Sequence, residues 1–226
     1  MKITWLGQAG LMFETEGKTV LVDPYLSDSV ALLNPKNHRR FPVDDRFLKI
    51  KPDIIICTHN HGDHLDKETL KHYFTNESEM LVFGPNGSWQ ELRKFGGDSN
   101  YILFQQGTEW NEGGIRLRAV AAEHSDPDAI GVLLSAEEKT YYITGDTLYS
   151  ERVFQSLPDE NLDAVFLPIN GKGNNMNAAD AARFAARCGA KHAVPMHFGL
   201  FDELTSDDFS CDGKIVPEPF QIICLE

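Results

Sequence analysis

The run Pro52-Asp53-Ile54-Ile55-Ile56-Cys57 constrains the fold most, because three consecutive isoleucines point to both faces of a strand. Such a strand needs cover on each side, and Ala164–Pro168 makes the same demand in the second half of the chain. Further strands read at Lys2–Leu6, Leu11–Glu14, Thr19–Val22, Met80–Phe83, Ile115–Ala121, Ile130–Ser135, Thr140–Thr144 and His192–Pro195. Helices are expected at Lys67–Phe74 with Asp66 as N-cap, at Gly87–Phe95, at Thr147–Leu157 and at Ala178–Cys188, the last ended by Gly189. Residues 27–51 carry no clear period and read as a long surface loop with a short helix near Asp44–Lys49. Strand meanders alternate with strand–helix units in both halves, which suits an α/β sandwich of two packed sheets with helices on the outer faces. A chain of 226 residues with no repeat or linker fits one domain over residues 1–226.

The chemistry concentrates in Thr58-His59-Asn60-His61-Gly62-Asp63-His64-Leu65, which holds three of the chain's eight histidines. If extended geometry persists past Cys57, His59 and His61 face one point. Gly62 then turns the chain, and Asp63 and His64 aim at a second point nearby. One short segment thereby offers two ligands to each of two adjacent metal ions. The bland alternative is a polar turn whose histidines merely cap a buried strand. Chance clustering of a residue this scarce argues against it.

The string resembles the HxHxDH signature of the metallo-β-lactamase superfamily, and other pieces follow in that family's order. His124 closes Ala121-Ala122-Glu123-His124, Asp146 closes Ile143-Thr144-Gly145-Asp146, and His197 follows Val194-Pro195-Met196. With the early Val22-Asp23-Pro24 segment, the resemblance covers essentially the whole chain. It implies a four-layer αβ/βα fold with His59, His61 and His124 on one metal. Asp63, His64 and His197 would hold the other, with Asp146 bridging both. Asp23 either hydrogen-bonds a ligating histidine from behind or simply initiates the turn before Pro24. His38, His72 and His192 lie off the motifs, and His72 and His192 read as structural.

Finer features narrow the branch. Flavodiiron oxidoreductases typically have a glutamate where this chain has His61, which disfavours a redox di-iron role. Glu123–Gly131, Pro168-Ile169-Asn170-Gly171, Asn175-Met176-Asn177 and Arg39-Arg40-Phe41-Pro42 look like the L-ascorbate-6-phosphate lactonase-like branch. Only Lys172-Gly173-Asn174 separates the strand end from the Asn-Met segment, where that branch's fuller lactonases carry a longer insert. The shortened wall bears on a sugar-phosphate substrate and leaves the metal chemistry untouched.

The expected activity is therefore metal-dependent hydrolysis. Two divalent ions (Zn²⁺ or Mn²⁺, with Fe²⁺ compatible) would lower the pKa of a shared water toward about 7. The bridging hydroxide would attack a lactone or ester, with Asp63, His64 and Asp146 at the catalytic centre and Asp63 relaying the proton. A phosphodiesterase and a non-catalytic metal or ligand sensor are the alternatives. The net charge of −13 disfavours nucleic acid as a partner. No apolar run long enough for a membrane span exists, and four scattered cysteines suit a reducing cytoplasm. Self-association is left open. Against that negative total, Arg39, Arg40 and Lys172, with Asn170 and Asn177, are the candidate contacts for an anionic small-molecule substrate.

Overall fold

The computed structural model describes residues 1–75 and 78–225. Two six-stranded mixed sheets pack face to face, each built from one half of the chain. The first contains β1 (Lys2–Gly7), β2 (Gly10–Thr15), β3 (Lys18–Val22), β4 (Ile54–Ile56), β5 (Leu81–Gly84) and β6 (Asn100–Leu103) in sequential order. The second contains β7 (Glu109–Glu112), β8 (Ile115–Ala121), β9 (Ile130–Ala136), β10 (Lys139–Ile143), β11 (Ala164–Pro168) and β12 (His192–Met196). Each sheet begins as an antiparallel meander and continues with parallel strands, antiparallel through β3 in the first and through β10 in the second.

Among the described residues, five short α-helices accompany the sheets: α1 (Ser29–Leu33), α2 (Lys67–Leu70), α3 (Asn86–Leu92), α4 (Glu151–Ser156) and α5 (Ala178–Cys188). The two-faced strands behave as their composition requires. Ile54 and Ile56 of β4 meet Phe166 and Ala164 of β11 in the core between the sheets. Ile55 faces the opposite way, into a second cluster with Leu65, Leu70 and Leu92. Val165 and Leu167 pack under Val153 of α4 and Phe184 of α5 in a third. Three apolar layers thus separate four structural layers, the α/β sandwich expected. Each fully buried large side chain contributes about 1.5–3 kcal/mol toward it.

Several elements differ from the sequence reading. Strands β6 and β7 were not anticipated, because Asn100–Leu103 and Glu109–Glu112 are four residues each and hold no fully buried position. The Thr147–Leu157 helix shrinks to Glu151–Ser156. The Thr147 hydroxyl accepts from the Glu123 N–H at 2.9 Å and the Leu148 N–H bonds Glu123 O at 2.8 Å, which pins this stretch to the exit of β8. Ser150 then caps the helix instead. Asp66 does cap α2, accepting from the Glu68 and Thr69 N–H groups, but the helix tightens into turns after Leu70. Within residues 27–51 the α-helix lies at Ser29–Leu33, and Asp44–Lys49 holds only a 3₁₀ turn at Phe47–Lys49. No helix among the described residues is long and apolar enough to cross a membrane.

Candidate metal centre

Strands β1, β3, β4, β8, β10, β11 and β12 all deliver the chain to one edge of the sandwich. β1 runs with β3 and β8 runs with β10, because each pair flanks a common antiparallel neighbour. The residues following these strands are Gln8, Asp23, the His59–His64 segment, His124, Asp146, Asn170 and His197. A rim at the carboxyl ends of parallel strands is a rigid platform for convergent side chains.

Asp23 organises the first half of the rim. It is fully buried, and its carboxylate accepts from the Thr58 N–H at 2.7 Å, the Thr58 hydroxyl at 2.6 Å and His64 Nδ1 at 2.8 Å. With Nδ1 engaged by Asp23, Nε2 is turned into the cluster, and that buried nitrogen has no hydrogen-bond partner. Thr58 Oγ1, already donating to Asp23, is 3.1 Å from His59 Nδ1, and the Asn174 carbonyl lies 3.2 Å from His124 Nδ1. Each contact reserves the opposite ring nitrogen for a ligand. Asp23 therefore supports a histidine from behind as well as turning the chain.

The histidine segment converges without being a strand. β4 ends at Ile56, and the turn at His61–Leu65 closes through the His64 and Leu65 N–H groups on His61 O. Gly62 is absent from the left-handed residues, so the turn does not depend on glycine there. Gly145 is different: its φ is +59°, and a Cβ would meet Ile130 O at 2.8 Å and Thr58 Cβ at 3.1 Å. That close approach brings Asp146 against the first half of the rim.

Three convergent donor groups result: His59, His61 and His124; His59, His64 and Asp146; and Asp63, His64 and His197. His61 Nδ1 lies 3.1 Å from His59 Nε2 and 3.2 Å from His124 Nε2. Two nitrogens on one tetrahedral Zn²⁺ stand about 3.3 Å apart, given Zn–N bonds of about 2.0–2.1 Å. Asp146 Oδ1 is 3.4 Å from His64 Nε2, and its Oδ2 is 3.3 Å from His197 Nε2 and 3.8 Å from His124 Nε2. Asp63 Oδ2 is 3.2 Å from His197 Nε2. This nitrogen and oxygen set, with the orphaned His64 Nε2, fits divalent cations. It contains no thiolate, so Zn²⁺, Mn²⁺ and Fe²⁺ all suit it.

The electrostatics of the metal-free cluster point the same way. Burial opposes charge on His64, yet Asp146, Asp63 and Asp23 raise its pKa well above the ordinary imidazole value. His197 is pushed up to about 10, burial being outweighed chiefly by Asp146. Burial also works against the Asp63 and Asp146 carboxylates, but His64 and His197 hold both below the usual carboxylate range. His59 is driven well below normal by burial and by His64, and His124 is lowered mainly by burial. Two protons thus sit where the carboxylates demand positive charge, while neutral imidazoles wait opposite.

A cavity of about 490 Å³ opens over this cluster, with His61, Asp63, His124, Asp146 and His197 in its lining. Asn170 and Lys172 line it, Lys172 with its ammonium 3.0 Å from Asp202. Arg39, Arg40 and Asn177 do not. The Arg39 guanidinium donates to Tyr25 O at 2.9 Å and stacks over the Tyr25 and Phe41 rings. Arg40 turns outward to Glu203, and Asn177 caps α5 by accepting from the Asp180 N–H.

Gln8, Asn175 and Lys36 are among the lining residues that carried no role in the sequence reading. Gln8 donates to Asp63 Oδ2 and Asn175 to Asp146 Oδ2, each at 2.8 Å. Lys36 joins them from the 3₁₀ turn Pro35–Asn37. A lone amide inside Trp5-Leu6-Gly7-Gln8-Ala9-Gly10-Leu11 was a readable signal for Gln8; Lys36 had none beyond its loop.

Comparison with known proteins agrees with this centre. Residues 18–198 match the Beta-lactamase superfamily domain family. A UPF0173 metal-dependent hydrolase of Geobacillus thermodenitrificans (strain NG80-2) is 30% identical, over 92% of this chain and 89% of its own. The isothiocyanate hydrolase from Delia radicum gut bacteria superposes with a TM-score of 0.78 at 22% identity, over 100% of this chain and 99% of its own. Igni18, a metallo hydrolase from Ignicoccus hospitalis KIN4/I, gives 0.77 at 21%, over 98% and 97%. At those identities the two structures speak for the fold alone. The family match and the curated relative go further, and they agree with a rim of paired carboxylates and bare imidazoles: the chain belongs to the metallo-β-lactamase superfamily, as a metal-dependent hydrolase.

Proposed function

We propose that the chain hydrolyses a lactone or ester bond in an anionic small molecule, using two divalent ions. The observation that carries this reading is the cavity itself. Its floor holds two carboxylates among histidines, and its walls carry Lys36 and Lys172. A volume of about 490 Å³ suits a small molecule. His59, His61 and His124 would hold one ion and Asp63, His64 and His197 the other, with Asp146 shared. Such ions supply Lewis acidity and a nucleophile at neutral pH.

The chain's own groups then have separable duties. Asp63, at the cavity floor, accepts and returns the proton during attack and departure of the leaving group. Lys36 and Lys172 attract the anionic group remote from the scissile bond. The lactone preference rests on the resemblance to the lactonase-like branch.

The test is a hydrolysis panel on the Zn²⁺- or Mn²⁺-reconstituted protein. It contains anionic lactones and esters, their neutral analogues, a phosphodiester and an aryl isothiocyanate. The isothiocyanate enters because the similar solved structure acts on that class. Turnover of anionic lactones or esters at least tenfold above the other arms is the expected result. Preference for the phosphodiester or isothiocyanate would replace this reading, and metal binding without turnover of any arm would favour a sensor.

A further inference from the structure

The two carboxylates of the centre share an arrangement. Each has one oxygen held by the NH₂ of a buried carboxamide: Gln8, 1% exposed, on Asp63 Oδ2, and Asn175, 5% exposed, on Asp146 Oδ2. Neither carboxylate has a lysine or arginine partner among the described residues; their ion-pair neighbours are histidines alone. A carboxamide fixes the rotation of a carboxylate while leaving its full negative charge for a cation. A lysine or arginine would compete with that cation.

Both residues are held through the backbone around them. Gln8 sits at φ +50°, and its backbone carbonyl accepts from the Trp5 indole N–H at 3.0 Å and from the His197 backbone N–H at 2.9 Å. Asn175 belongs to the short loop after Asn170, where the preceding Asn174, at φ +63°, turns its carbonyl toward His124 Nδ1. Two consecutive residues of that loop thus grip two different site residues. Asn175 Oδ1 is buried with no partner, a cost that a residue kept only for packing would not need.

We propose that Gln8 and Asn175 are positioning residues for the metal ions, and that they act unequally. Gln8, whose NH₂ also lies 3.1 Å from the ring nitrogens of His197, works through Asp63 and His197 on one ion, whereas Asn175 works through Asp146 on both. The loop that reads as a shortened substrate wall is then a clamp on the metal ligands. This inference rests on the two-ion reading above.

The experiment is Zn²⁺ titration of the metal-free protein against a chromophoric chelator, for wild type, Gln8→Ala and Asn175→Ala. The near-isosteric Gln8→Glu and Asn175→Asp remove the NH₂ donor while keeping the shape, and thermal melting of each metal-free variant checks the fold. Wild type should show two binding steps. Both Gln8 variants should weaken one step by about 10–100-fold and leave the other in place. Both Asn175 variants should weaken the two steps together by a similar factor. Two wild-type steps that neither pair of variants changes, or that both pairs change alike, would overturn the inference. A single step in wild type would remove the two-ion reading and this inference with it.

Discussion

The two halves of the molecule build the same kind of sheet but furnish the centre in opposite ways. The first half concentrates His59, His61, Asp63 and His64 in one loop after β4, braced by Asp23 from the neighbouring β3. The second half contributes His124, Asp146 and His197 singly, each just past a different strand. A dense loop can be aligned by local contacts, and Thr58 and Asp23 do that work. Isolated residues depend on the whole sheet holding register, and on left-handed backbone at Gly145 and His197 to aim them. Damage in the first half should therefore stay local, whereas one residue in the second half can reach everything.

Asp146 is the sharpest probe of that contrast, since its oxygens face His64, His197 and His124. Asp146→Ala should reduce turnover by well over the roughly 100-fold that losing a supporting contact costs. His61→Ala should cost less, because it removes a donor from the His59, His61 and His124 group alone, whereas Asp146 faces histidines of both outer groups. Steady-state kinetics on metal-verified variants decides this, and a larger loss in His61→Ala would reverse the ranking of the halves.

Asp23 tests the local bracing. Asp23→Ala strands three donors in a fully buried site, the Thr58 N–H and hydroxyl and His64 Nδ1. It should cost about 3–5 kcal/mol of stability in the metal-free protein. Asp23→Asn, which keeps the volume, should cost less. Denaturant unfolding measures both, and an Asp23→Ala loss under 1 kcal/mol would reduce Asp23 to a turn residue.

The same contrast explains what could be read in advance. The histidine loop is contiguous and the two-faced strands β4 and β11 are apolar throughout, so both stood out in one dimension. His124, Asp146 and His197 are unremarkable singly and became legible only through resemblance. Arg39 misled because a basic residue in a polar loop looks available, whereas its guanidinium is spent on Tyr25 O and two aromatic faces. Gln8 and Asn175 are matched to carboxylates 55 and 29 positions away, pairings that no local pattern encodes. Strands β6 and β7 escaped because each is four residues long with no fully buried position, too little pattern to read along the chain.

Protons offer a milder probe that joins the halves. In the metal-free protein His64 in the first half and His197 in the second are both raised, His197 to about 10. A raised imidazole stabilises the metal-free fold fully below its ordinary pKa, and that contribution is lost as pH climbs through the raised value. Metal binding needs the neutral ring, so it runs the other way. Between pH 6 and 8 apparent affinity should rise by about tenfold per unit for each proton displaced. Calorimetry in buffers of different ionisation enthalpy should find protons released on Zn²⁺ uptake. Uptake that is flat with pH and releases none would mean that neither histidine is a ligand.

The smallest effects are expected at the cavity walls, where the halves again differ. Lys36, from the first half, has no carboxylate within ion-pair distance among the described residues, whereas Lys172, from the second, is 3.0 Å from Asp202. A paired lysine offers an incoming anion less net attraction, because its partner must be displaced or left facing the substrate. Lys36→Ala should therefore raise KM for an anionic substrate several-fold, by roughly 1 kcal/mol for one exposed charge contact, with kcat little changed. Lys172→Ala should do less, and Asp202→Asn, which frees the lysine, should lower KM. Arg40→Ala should leave both constants alone, since its side chain turns to Glu203 outside the cavity. The neutral analogue supplies the control, because a contact with the anionic group cannot change its KM. An Arg40 effect larger than that of Lys36 would place the anionic group outside the cavity over the centre and transfer substrate selection to the outer loop.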